Sequence, residues 1–134
     1  RVLFRSPQRT IQIGIRGGAE YLWEFSYDSG MCVIHAEDLD RMGLEAVIAK
    51  ALEVIGDGPT YVSFDVDSLD PAFTPGTGTP EVGGLTPREA LAILRALKGR
   101  NLVGADVWRL RPNMTQQPIR RRLPRRFYLP KPVC

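Results

Sequence analysis

Apolar and polar positions recur along this chain in two rhythms, and the switches between them mark out its elements. Residues 10–15 (TIQIGI) alternate with period two and are rich in isoleucine, which predicts a strand that Gly14, Gly17 and Gly18 bring to an end. Aromatic residues cluster over 19–27, a predicted short helix, and the apolar run 32–35 (CVIH) predicts a second strand. Leu44, Val47, Ile48, Ala51, Leu52 and Ile55 then follow helical spacing and form one apolar stripe, stopped by Gly56, Gly58 and Pro59. Residues 60–66 (TYVSFDV) are β-branched and aromatic, apolar on both faces in places, as an internal strand of a covered sheet should be. Glycine and proline make 71–84 a loop. A further helix opens at Thr86-Pro87-Arg88-Glu89, where Thr86 is the N-cap, Pro87 the first helical residue and Glu89 the partner that closes a capping box. Leu91, Leu94 and Leu97 are expected to line one side of it, and 101–107 (NLVGADV) predicts a last strand.

Strands separated by helices imply βαβ units, hence an α/β fold with a mainly parallel sheet and helices on both faces. Ligands of such sheets bind outside the carboxyl ends of the strands. Asp65, Asp67 and Asp106 all fall at or just past such ends, so topology alone draws attention to them.

Composition sharpens the picture at one place. With 43% hydrophobic and 25% charged residues over 134 positions, one packed core is expected. The net charge of +3 hides a division: residues 1–106 hold all 15 acids and 10 of the 18 basic residues, a balance of −5, whereas 107–134 hold 8 basic residues and no acid. Five of the 11 prolines also lie in that last stretch. The expected organisation is therefore an α/β portion over 1–107 and a basic, Pro-rich tail over 108–134. No apolar run reaches the ~20 residues of a membrane span. Cys32 and Cys134 are too few for a disulfide framework, and Cys32 reads as a buried thiol of a cytoplasmic chain. The first residue is Arg1, not Met, and no signal-peptide pattern follows, so the sequence reads as an internal piece of something longer.

The chemistry gathers in SFDVDSLDP, residues 63–71. In an extended segment residues two apart point the same way, so Asp65 and Asp67 would aim at one point beyond the strand. Converging carboxylates call for a compensating cation, and oxygen ligands favour hard ions such as Mg²⁺, Ca²⁺ or Mn²⁺. The same spacing also suits capping and turn roles, as Asp70-Pro71 does, and the pattern D-x-D leaves both readings open. Asp70 is placed on the structural side. His35, the only histidine, reads as a core or partly exposed side chain rather than a ligand or base, and Gly14-Ile15-Arg16-Gly17 as a tight turn rather than a dinucleotide loop.

The run YVSFDVDSLDPAFTPGTGTPEVGGLTPREAL resembles the signature of the ureohydrolases, the arginase and agmatinase family. QIGIRG, SGMCVIHAEDL and NLVGADV fit its agmatinase-like or guanidinobutyrase-like branch in the same order, so the likeness covers roughly 8–107. The resemblance implies a three-layer αβα fold, here a partial domain corresponding to the family's C-terminal part. It implies hydrolysis of a guanidino compound to urea and an amine by two Mn²⁺ ions and a bridging hydroxide. It further implies that Asp65 bridges both metals, that Asp67 binds one of them, and that the 71–84 loop shapes the rim. Trimers or hexamers are implied for the complete enzyme, and no membrane partner.

The departures are equally specific. The family's upstream ligands, in a GGDHS-like and an Asp-x-His-x-Asp-like segment, have no counterpart here, so the chain alone is expected to be inactive, with no complete catalytic set. Arg109 occupies the position of the glutamate that holds the substrate guanidinium, and a cation there repels a guanidinium. Asp106 is expected to be a structural neighbour of the site. Past residue 107 the likeness fades, and the basic tail fits a shifted reading frame, a plain flexible tail, or, as the alternative function, a segment binding nucleic acid or an acidic surface. Nucleic acid is the less expected partner.

Overall fold

A computed structural model of the chain describes residues 6–18 and 20–108. The chain divides after Gly56 into two compact units.

The first unit begins with a 3₁₀ turn, Pro7–Arg9, followed by strand β1 (Ile11–Ile15), helix α1 (Glu20–Asp28), strand β2 (Cys32–His35) and helices α2 (Ala36–Met42) and α3 (Leu44–Ile55). Strands β1 and β2 pair in parallel, Ile11 opposite Cys32 and Ile13 opposite Ile34, with a register irregularity around Gly14. The βαβ expectation holds here, because a parallel pair needs a crossover and α1 supplies it. Cys32, Val33 and Ile34 are all buried, as are Leu39 of α2 and Val47, Ala51 and Ile55 of α3. The α3 stripe expected from spacing is the face that is buried. Arg9 adds a polar tie: its Nε and Nη2 donate to the Ile55 carbonyl at 3.1 and 2.6 Å, satisfying an orphan carbonyl at the carboxyl end of α3.

Helix α2 is absent from the sequence expectations. At seven residues it is too short for a periodicity signal. It is held at its start by His35 and Asp38, whose Oδ2 accepts from the His35 backbone N–H at 3.3 Å, and Arg41 one turn on pairs with the buried Asp38. Gly43, at φ 80°, ψ 151°, separates α2 from α3 in a conformation essentially reserved for glycine. Cys32 is buried as expected.

The second unit contains strand β3 (Thr60–Asp65), a 3₁₀ turn (Val66–Ser68), a loop over 71–84, helix α4 (Pro87–Ala96) and strand β4 (Leu102–Trp108). Strands β3 and β4 pair in parallel, Val62 opposite Ala105 and Ser63 opposite Asp106. The Thr86 capping box forms as expected: Glu89 Oε2 accepts from Thr86 N at 2.8 Å, and Glu89 N donates to Thr86 Oγ1 at 3.3 Å. Ala90 is the buried residue of α4, whereas Leu91 is 46% exposed, so the packed stripe runs through Ala90, Ile93, Leu94 and Leu97 rather than through Leu91. Strand β3 departs from the expectation of burial on both faces: Tyr61 and Ser63 are exposed while Val62 and Phe64 are partly covered. Val103 and Val107 of β4 are exposed as well. Close approach explains Gly104 opposite Tyr61, since a Cβ there would lie 2.9 Å from the Tyr61 ring.

Over the described residues each unit is thus a two-stranded parallel sheet with helices in the connections, an α/β arrangement, rather than part of one continuous hydrogen-bonded sheet. Among the described residues, no helix is long and apolar enough to cross a membrane.

Candidate metal centre

Asp65 is the last residue of β3, and Asp67 sits in the 3₁₀ turn that follows, not on the strand. The period-two argument for their convergence therefore does not apply. What relates them is a turn: Asp67 N donates to Asp65 Oδ1 at 3.0 Å, so Asp65 caps the turn that carries Asp67. The capping reading of Asp65 is thus satisfied by one of its oxygens. Asp67 Oδ2 accepts a 2.5 Å hydrogen bond from the Thr79 hydroxyl, twelve residues away in the loop, and Asp67 Oδ1 is buried.

Asp70 behaves differently from both. Its Oδ1 accepts from Ala72 N at 2.9 Å, and its Oδ2 from Gly83 N at 2.8 Å and Gly84 N at 3.3 Å. Its backbone N donates to the Leu85 carbonyl at 2.9 Å, and Leu85 N to the Ser68 carbonyl at 2.9 Å. One carboxylate thereby closes the 71–84 loop at both ends, with Pro71 and Leu85 buried beneath it. The three acids differ in their hydrogen-bond partners: Asp70 accepts from backbone amides, Asp65 from the turn amide, and Asp67 from a hydroxyl.

Asp106, on β4 opposite Ser63, accepts from Tyr61 Oη at 2.8 Å. His35 closes β2, with Nδ1 3.2 Å from the Ile15 carbonyl and Nε2 2.6 Å from Tyr27 Oη. The Nδ1 contact requires a proton on that nitrogen, which makes Nε2 the acceptor of the tyrosine hydroxyl. Trp23 packs edge-on against the imidazole at a centroid distance of 4.8 Å. Burial raises the Tyr27 pKa above its ordinary value of 10.0. Both ring nitrogens are engaged by protein partners. An open depression of about 370 Å³ lined by Asp57, Lys98, Gly99, Arg100 and Asn101 includes neither candidate aspartate, and its Asp57 is paired with Arg100 at 2.9 Å.

Sequence reasoning did not single out Thr79 or Tyr27. Their hydroxyls meet their partners across loop and helix, and no local pattern announces such contacts. Arg109 and the basic tail over 108–134, apart from Trp108, lie outside the described residues.

The sequence profile of the arginase family matches residues 3–123. The chain belongs to the arginase family. Guanidinopropionase of Pseudomonas aeruginosa is 54% identical over 108 residues, which is 79% of this chain and 34% of that protein. The mitochondrial agmatinase of Gallus gallus is 46% identical over 106 residues, 78% of this chain and 31% of its own length. Among solved structures, proclavaminate amidino hydrolase from Streptomyces clavuligerus superposes with a TM-score of 0.74 at 40% identity, covering 81% of this chain and 36% of that one. Arginase from Bacillus caldovelox does so with 0.75 at 28% identity, covering 81% and 38%. This arginase-family chain thus spans about a third of the length of the relatives it matches, and its α/β architecture is that of their fold.

Proposed function

We propose that this chain supplies part of the divalent-metal centre of a ureohydrolase that converts a guanidino compound, such as agmatine or guanidinobutyrate, to urea and an amine. In this reading Asp65 and Asp67 would be among the residues that hold the Mn²⁺ ions. The observation that carries it is the Asp65–Asp67 turn, at the carboxyl end of a parallel strand, in a chain whose relatives are named as guanidino hydrolases.

Carboxylate oxygens fit a hard cation such as Mn²⁺. Among the described residues there is no group of three or more His, Cys, Asp or Glu able to hold a metal, so the two aspartates fit in kind and form part of a ligand set. When bound, the metal pair supplies Lewis-acid polarisation and lowers the pKa of a water. The contribution of this chain is positional. The turn amide fixes Asp65, the Thr79 hydroxyl fixes Asp67, and Asp70 keeps the loop that carries Thr79 closed over the strand end. In the same reading the complete enzyme is a cytoplasmic trimer or hexamer, and this chain alone is inactive.

The test is urea release from agmatine and guanidinobutyrate with Mn²⁺ present. The 134-residue chain by itself is expected to match the no-enzyme control. Mixed with a polypeptide covering the part of a guanidino hydrolase that this chain does not match, it is expected to release urea, and Asp65→Ala to abolish that release. Equal urea from wild-type and Asp65→Ala mixtures would overturn the proposal.

A further inference from the structure

We infer that one face of the β3–β4 sheet, formed by Val62, Phe64, Ala105 and Val107, is a docking surface for the portion of an arginase-family polypeptide that this chain does not match. Register defines the face. Val62 lies opposite Ala105 and Phe64 opposite Val107, and residues two apart along a strand share a face. Four apolar side chains are therefore contiguous there, with no polar side chain among them. The other face differs in kind. It carries Tyr61, Ser63 and Asp65 beside Gly104 and Asp106, and Tyr61 Oη donates to Asp106 Oδ2.

The apolar face is open. Val107 is 63% exposed, Ala105 is exposed, and Val62 and Phe64 are only partly covered. Apolar surface left in water costs free energy in proportion to its area. Parallel sheets occur almost only with both faces covered by helices. Among the described residues β3 and β4 form a sheet of two strands, which is marginal by itself. The size of the relatives identifies the cover. This chain matches 34% of the guanidinopropionase and 31% of the agmatinase, so about two thirds of each lies outside the match. The occupant that fits the face is the apolar side of an amphipathic helix from that portion, because helices are what cover a parallel sheet.

The experiment titrates the full chain into a fluorescently labelled polypeptide comprising the part of the Pseudomonas aeruginosa guanidinopropionase that this chain does not match. A metal chelator is present throughout, so the metal reading stands or falls separately. Wild type is expected to bind saturably, and Val107→Asp to bind about 10-fold or more weakly, with its melting curve unchanged. Val107→Thr, which keeps the branched shape, is expected to fall between the two. Leu91→Asp, at a position 46% exposed on α4, is expected to bind as wild type does. No saturable binding by wild type, equal binding by Val107→Asp, or an equal loss in Leu91→Asp would overturn the inference. So would a loss found only in variants whose melting temperature falls. Self-association of wild type in sedimentation, removed by Val107→Asp and unaccompanied by binding to the polypeptide, would give the face to a second copy and overturn it as well.

Discussion

Replacing Asp70 with alanine removes three hydrogen bonds at once: those from Ala72 N, Gly83 N and Gly84 N, at 2.9, 2.8 and 3.3 Å. Hydrogen bonds to a charged group contribute about 1.5–3 kcal/mol each. That range is an upper bound here, because Ala72 and Gly83 are exposed and their amides regain water once the carboxylate is gone. The backbone bonds between Asp70 and Leu85 and between Leu85 and Ser68 also survive the substitution, so the loop ends stay near one another. A net loss of about 2 kcal/mol follows, most of it from the partly buried Gly84 side. With a urea slope of about 2 kcal/mol per molar for a domain of this size, the unfolding midpoint should fall by about 1 M. Asp70→Asn retains one carbonyl acceptor and should fall by less. The assay is urea unfolding followed by far-ultraviolet circular dichroism, paired with amide hydrogen exchange at Gly83 and Gly84. A midpoint within about 0.2 M of wild type, with Gly83 and Gly84 still protected in Asp70→Ala, would refute the account of Asp70 as the clasp of the loop.

Two other outcomes follow from the first unit. Gly43→Ala meets no steric neighbour within 4 Å, so its cost is backbone strain alone at φ 80°; about 1–3 kcal/mol of stability should be lost, measured by the same urea titration. Tyr27 binds its proton more tightly in the folded state than in the unfolded one, because its phenolate is desolvated by burial. Its contribution is therefore fully present below pH 10 and is lost as pH rises from 10 through the higher folded pKa. Thermal melts from pH 9 to 12 should show a decline that Tyr27→Phe reduces, and an equal decline in both proteins would contradict this.

Relatives in the arginase family give the second unit its meaning, but most of its local structure was already legible. The capping box at Thr86 and Glu89 is four residues of sequence written directly into geometry, because both partners lie within one helical turn. The α3 stripe was legible for the same reason: Val47, Ala51 and Ile55 recur at helical spacing and are the residues buried. Helix α2 escaped notice because seven residues give barely two turns of pattern and its stabilising contacts involve His35, the residue that ends the strand before it.

By itself the sequence determined the strands and the longer helices, the parallel α/β architecture and the family, and it singled out two candidate metal ligands. Each of these rests on short-range spacing or on a contiguous motif. Only the tertiary structure decided how Asp65, Asp67 and Asp70 divide their work. The partners that distinguish them, Thr79 for Asp67 and Gly83 and Gly84 for Asp70, lie 12 to 14 residues away across a loop. Loop closure brings those groups together through backbone conformation that no local propensity encodes. The same holds for His35, whose tautomer is set by the Ile15 carbonyl, twenty residues earlier on the neighbouring strand.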